Sequence, residues 1–141
     1  MRQMKILIVE DNEQNLYLET FLLEKHGYGV LQARNGEQGL EMAGCKRPDL
    51  ILLDIQLPTM DGYEVARRLK LGGATQTVPV IAVTSYAMAG DRERIMAAGC
   101  EGYIEKPIDP DGFVEQVKAF LPNHQTDVSE RGTSNEQNSD C

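Results

Sequence analysis

Apolar and polar positions alternate in blocks along this chain. The run KILIVE at 5–10 reads as a strand, and the Leu-, Phe- and Glu-rich stretch at 13–27 reads as a helix that Gly27 stops. A weaker apolar stretch, YGVLQAR at 28–34, predicts a second strand. The segment NGEQGLEMAGC at 35–45 starts like a helix, although its internal glycines make it a poor one. DLILLD at 49–54 predicts a third strand, buried on both faces because its apolar residues run consecutively. A helix at 62–71 ends at Gly72 and Gly73, and the β-branched run VPVIAVTS at 78–85 is a fourth strand. A charged helix at 88–99, a short strand at 101–106 and a last helix at 110–121 complete the pattern. In that last helix Phe113, Val117, Phe120 and Leu121 are spaced for one face.

Five strands alternating with five helices predict an α/β fold: a doubly wound, mostly parallel five-stranded sheet with helices on both faces and right-handed crossovers. In open sheets of this kind, sites form beyond the carboxyl ends of the strands. The residues at those ends are Glu10 and Asp11, then Arg34, Asp54, Thr84 with Ser85, and Lys106. Taken alone, Asp54 reads as a turn or cap aspartate, because the LPTMDG that follows it is turn chemistry. The same holds for each of the others: the acid pair could cap a helix, Thr84 could be a plain strand residue, and Lys106 a solvated one. Their coincidence at one sheet edge outweighs those separate readings.

Glu10, Asp11 and Asp54 converging at that edge would repel one another by roughly 4 kcal/mol per pair at ~4 Å and an effective dielectric of ~20. Such a cluster needs a cation. Oxygen ligands with room for water suit Mg2+, with Mn2+ as a substitute, and softer metals want the Cys or His that is missing from these positions. Lys106 brings a positive charge able to pair with a carboxylate or a phosphoryl oxygen, and Thr84 a hydroxyl able to donate to one. A carboxylate so placed is a phosphoryl acceptor candidate, and Asp54, ending the central buried strand, is the best nucleophile.

Composition narrows the picture. The 141 residues, 41% of them hydrophobic, suit one domain. A net charge of -8 argues against sequence-independent nucleic-acid binding, which needs a concentrated basic surface. There is no apolar run near the ~20 residues that span a bilayer, and the apolar run near Met1 is too short for a secretory signal. A cytoplasmic location follows as the expectation. Cys45, Cys100 and Cys141, odd in number and without CxxC spacing, are expected as reduced thiols. From Asn123 the chain turns polar, so a folded unit over 1–122 and a mobile tail over 123–141 are expected.

The segments ILIVEDN, DLILLDIQLPTMDGYE, VIAVTSYA and GYIEKPID, in this order and at this spacing, resemble the receiver domain of two-component response regulators. The resemblance runs from about Met4 to Leu121. It implies a flavodoxin-like sheet with strand order 2-1-3-4-5. It implies that Asp54 accepts a phosphoryl group from a sensor histidine kinase or a histidine phosphotransfer protein. Asp11, Asp54 and the backbone carbonyl of Gln56 would hold Mg2+, with Glu10 acting through water. Lys106 would bind the phosphoryl group, ahead of a Pro107 bond that is usually cis. Thr84 would be the switch hydroxyl and Tyr103 the switch aromatic, with Met88, Ile95 and Tyr103 as candidate partner contacts. Gln56 and Tyr86 fall where the family varies. The implied protein is a stand-alone regulator signalling by protein contact, as a monomer or a phosphorylation-dependent homodimer. A receiver cut from a hybrid kinase or larger regulator is the alternative. A Mg2+-dependent phosphohydrolase is weaker, since such enzymes generally carry a second acid where this chain has Gln56.

Overall fold

A computed structural model describes residues 3–85 and 88–121. The expected tail and Tyr86 lie outside the described residues.

The alternation of apolar and amphipathic blocks becomes ten elements: β1 (Lys5–Val9), α1 (Glu13–Lys25), β2 (Gly29–Ala33), α2 (Gly36–Lys46), β3 (Leu50–Asp54), α3 (Gly62–Leu71), β4 (Val80–Thr84), α4 (Ala89–Ala97), β5 (Gly102–Glu105) and α5 (Phe113–Lys118). The strands form one parallel sheet in the order β2-β1-β3-β4-β5. Alternate residues of the central strands enter opposite cores, as a period of two requires. Leu7, Val9, Ile51, Leu53 and Ala82 pack with α2, α3 and α4, whereas Ile6, Ile8, Leu52, Ile81 and Val83 pack with α1 and α5. Both faces of β3 and β4 are therefore covered, and every residue of the two strands is buried.

Three local outcomes differ from the pattern reading. The segment with internal glycines is a full helix, α2, because Gly39 allows it to lie against β1: a Cβ there would stand 2.8 Å from a Val9 methyl. Helix α5 is shorter than the expected 110–121. The Asp109 carbonyl accepts from both Gly112 and Phe113, which makes a turn of the approach, and Phe120 and Leu121 close in tight turns onto Val117 and Lys118. The third outcome concerns the cysteines. Cys100 is free and buried, but Cys45 is disulfide-bonded, so the expectation of reduced thiols does not hold for it.

Candidate functional site

The parallel register brings four strand ends to one edge. Asp54 is the last residue of β3 and lies beside Val83, Thr84 is the last of β4 and lies beside Glu105, and Glu10 follows β1 with its N–H bonded to the Ala33 carbonyl. Lys106 follows β5, held by its own N–H to the Thr84 carbonyl at 2.8 Å, and its bond to Pro107 is cis. Arg34, at the end of β2, does not join this group; it pairs with Glu13 at the surface.

Glu10, Asp54 and Thr84 are buried and Asp11 is exposed. Carboxylate oxygens of Glu10, Asp11 and Asp54 lie within 4.8 Å of one another. Lys106 Nζ reaches over two of them, 3.1 Å from Glu10 Oε1 and 3.4 Å from Asp54 Oδ2. The Glu10 approach is an ion pair, and Oε1 has no hydrogen-bond partner among the described residues. The other Glu10 oxygen accepts from the Asn12 N–H at 3.2 Å. The acid pair does not cap α1: Asn12 does, its side chain accepting from the Asn15 N–H.

The loop after β3 folds back on the strand end. Gly62 makes this possible, since a Cβ there would stand 2.5 Å from Ile55 Cα and 2.8 Å from the Asp54 carbonyl. Asp61, beside it, caps α3 by accepting from the Tyr63 N–H. In the same loop the Gln56 N–H donates to Asp54 Oδ1 at 3.0 Å, and Gln56 Nε2 donates to Thr84 Oγ1 at 3.2 Å.

The charges respond to this crowding. Burial first and the Glu10 charge second, against the pull of Lys106 and the Gln56 amide, push the Asp54 carboxyl up to about 7. Burial works to lower Lys106, but the charges of Asp54 and Glu10 outweigh it and hold the ammonium above its ordinary value. The donor set fits a hard divalent cation: it is all oxygen, it carries excess negative charge, and one buried oxygen lacks a hydrogen bond.

One residue of this region was not singled out in the sequence. Glu19 lies on the inner face of α1 with Leu16, Leu22 and Leu23, is 1% exposed, and has no hydrogen-bond partner for Oε2 among the described residues. Burial chiefly, with the charges of Glu10 and Asp54 and against the pull of Lys106, pushes it up to about 8. Its signal was an acid on an apolar stripe, three residues from Leu16 and three from Leu22.

The expected partner contacts separate. Met88 is 76% exposed, and Tyr103 is half-buried with the Arg92 guanidinium 5.6 Å from its ring centre. Ile95 is fully buried, which corrects its assignment to the partner surface. It is the buried residue of α4 and packs into the core of the α2–α4 side.

Comparison with known proteins agrees with this geometry. Residues 6–118 match the family model of the response regulator receiver domain. The chain belongs to the response regulator receiver family. It is 50% identical over 116 residues to the polar-differentiation response regulator DivK of Brucella anthropi, an alignment covering 82% of this chain and 94% of that one. Among solved structures it resembles a CheY-like response regulator receiver domain protein from Methanospirillum hungatei, with a TM-score of 0.77 and 31% identity over 84% of this chain and 93% of that one. It also resembles the receiver domain of the Pseudomonas aeruginosa sensor histidine kinase PA1611, with a TM-score of 0.77 and 34% identity over 84% and 97%. That structure has a magnesium ion coordinated in its active-site cleft. At these TM-scores the chain shares its fold with both.

Proposed function

We propose that this receiver is a Mg2+-dependent phosphorylation switch in which Asp54 accepts a phosphoryl group from the phosphohistidine of a sensor kinase or phosphotransfer protein. The observation that carries the reading is Lys106 set between Glu10 and Asp54 over a cluster of three acids. In the reaction an Asp54 carboxylate oxygen bonds to phosphorus as the phosphorus–nitrogen bond of phosphohistidine breaks, and the imidazole leaves. Asp11, Asp54 and the Gln56 carbonyl would hold the cation, with Glu10 reaching it through water. The cation would offset charge on the transferred oxygens. Lys106 follows the charge from the carboxylate to a phosphoryl oxygen. Thr84 turns its hydroxyl toward the same group, and the change passes along β4 and β5 to Tyr103. The family places the protein in two-component signalling; the reading adds a stand-alone regulator with its receiver over 1–122, working in the cytoplasm.

Output then goes through protein contact. Met88 is exposed ahead of α4, and an open groove of about 500 Å3 is lined by Arg92, Tyr103, Glu105, Lys106 and Gln116 among others. This face adjoins Thr84 and Lys106, so a change at Asp54 reaches it within one strand's width.

The test is intact mass after incubation with Mg2+ and acetyl phosphate, for wild type and Asp54→Asn. One phosphoryl group, labile to hydroxylamine, is expected on wild type and none on the variant. An equal adduct on both overturns Asp54 as the acceptor.

A further inference from the structure

Gln56 touches both halves of the site. Its backbone N–H holds Asp54 Oδ1, and its side-chain amide donates to Thr84 Oγ1 at 3.2 Å. The first bond would form with most residues at this position, but the second needs a side chain of this length ending in an N–H. Gln56 is exposed while Thr84 is 1% exposed, so the link runs from a solvated loop to a buried strand end.

We propose that Gln56 is a latch on Thr84: in the unphosphorylated protein its amide fixes the threonine hydroxyl, and a phosphoryl group on Asp54 must take that hydroxyl away. The proposal rests on the reading of Asp54 as acceptor and Thr84 as its hydroxyl partner. A β-branched side chain on a strand has few χ1 wells, so a bond to its hydroxyl selects one well instead of shifting it by degrees. Asp54 and Thr84 lie on adjacent strands, with Asp54 paired to Val83, so a phosphoryl group on Asp54 is delivered next to the hydroxyl. The hydroxyl oxygen accepts from Gln56 while its own proton stays available to donate, so the competition is over position: the charged oxygens of the phosphoryl group draw the hydroxyl into a well that the Gln56 amide does not reach. The amide that is released meets water at once, because Gln56 is exposed. The latch thus sets how far the switch is held off in the absence of phosphate without blocking it. Gln56 is here a positioning residue acting through Thr84, apart from the part given to its backbone carbonyl.

The experiment measures Thr84 χ1 populations from three-bond couplings to its methyl group, in wild type, Gln56→Met and Gln56→Ala, each with and without beryllofluoride and Mg2+. Wild type without additive is expected in one well and moves on adding beryllofluoride. Both variants are expected to show χ1 populations shifted from those of wild type before any additive. They should saturate with beryllofluoride at a concentration about 2- to 10-fold lower, the range that one hydrogen bond carries. Variant couplings equal to those of wild type overturn the latch. A wild-type Thr84 that binds beryllofluoride without changing wells overturns instead the switch reading on which the latch rests. Gln56→Met keeps the side-chain length and Gln56→Ala the small volume, so agreement between them excludes a packing effect.

Discussion

The two edges of the sheet treat their carboxylates in opposite ways. At the amino-terminal edge each acid is tied by hydrogen bonds. Asp49 Oδ2 accepts from the Lys5 N–H at 2.8 Å, and Glu101 Oε1 accepts from the Val80 N–H at 2.8 Å while its other oxygen meets Lys70 at 2.9 Å. Lys70 is itself satisfied, donating also to the Val78 carbonyl at 2.9 Å. At the carboxyl-terminal edge Glu10, Asp11 and Asp54 share one lysine, and a Glu10 oxygen goes without a hydrogen bond. The first arrangement closes a sheet edge. The second leaves charge uncompensated, which costs stability and leaves the edge able to take a cation or a phosphoryl group. The acids of the first edge are satisfied within the chain, and those of the second are not.

The contrast breaks most directly at Lys106. Lys106→Met leaves Glu10 and Asp54 facing each other in a buried site, and a loss of about 3–5 kcal/mol in urea denaturation at pH 8 without metal is expected. A loss below 1 kcal/mol would mean that the acids relieve themselves by taking protons. The next effect is a pH dependence. Glu19 titrates at about 8 in the fold against 4.5 in a free chain, so between those values the folded state holds a proton that the unfolded state has released. The stability this lends is complete below 4.5 and is lost as pH rises toward 8, and Asp54, raised from 3.8 to about 7, acts in the same sense. Wild type should lose roughly 3 kcal/mol from Glu19 between pH 5 and pH 8, and Glu19→Gln should remove that share. Parallel pH curves for the two proteins would place the titration elsewhere.

At the opposite edge Glu101→Ala removes two tied oxygens and should cost about 1–3 kcal/mol, with phosphorylation by acetyl phosphate unchanged. The smallest effect has the opposite sign. Asp54→Asn keeps an oxygen for the Gln56 N–H and removes one of the crowded charges, so metal-free protein at pH 8 should gain about 1 kcal/mol. Destabilisation of similar size would show that the Lys106 pair outweighs the repulsion.

Much of this was legible in the chain. Consecutive apolar residues in ILLD mark a strand covered on both faces, and Asp54 at its end stood out because the turn residues begin just after it. Glu10, Thr84 and Lys106 were found by the same rule, since pattern alone placed them at strand ends. What escaped was whatever depends on a neighbour across space. Glu19 falls on a helical stripe that reads as apolar by period, and only the packing of α1 shows it buried near the site. Ile95 looked like a surface residue on a charged helix, but it lies on the side of α4 that meets the core. The link from Gln56 to Thr84 joins residues 28 apart in the chain.

By itself the sequence determined the order and type of the elements, because periodicity and turn chemistry act over a few residues. It also determined which side chains end the strands, because a strand end is a local event. Tertiary structure decided which of those ends converge, that Lys106 rather than Arg34 serves the acids, and which polar atoms lack a hydrogen bond. Those outcomes depend on sheet order and on distances of a few ångströms between segments far apart in the chain, where burial turns a small displacement into a large change in electrostatic energy.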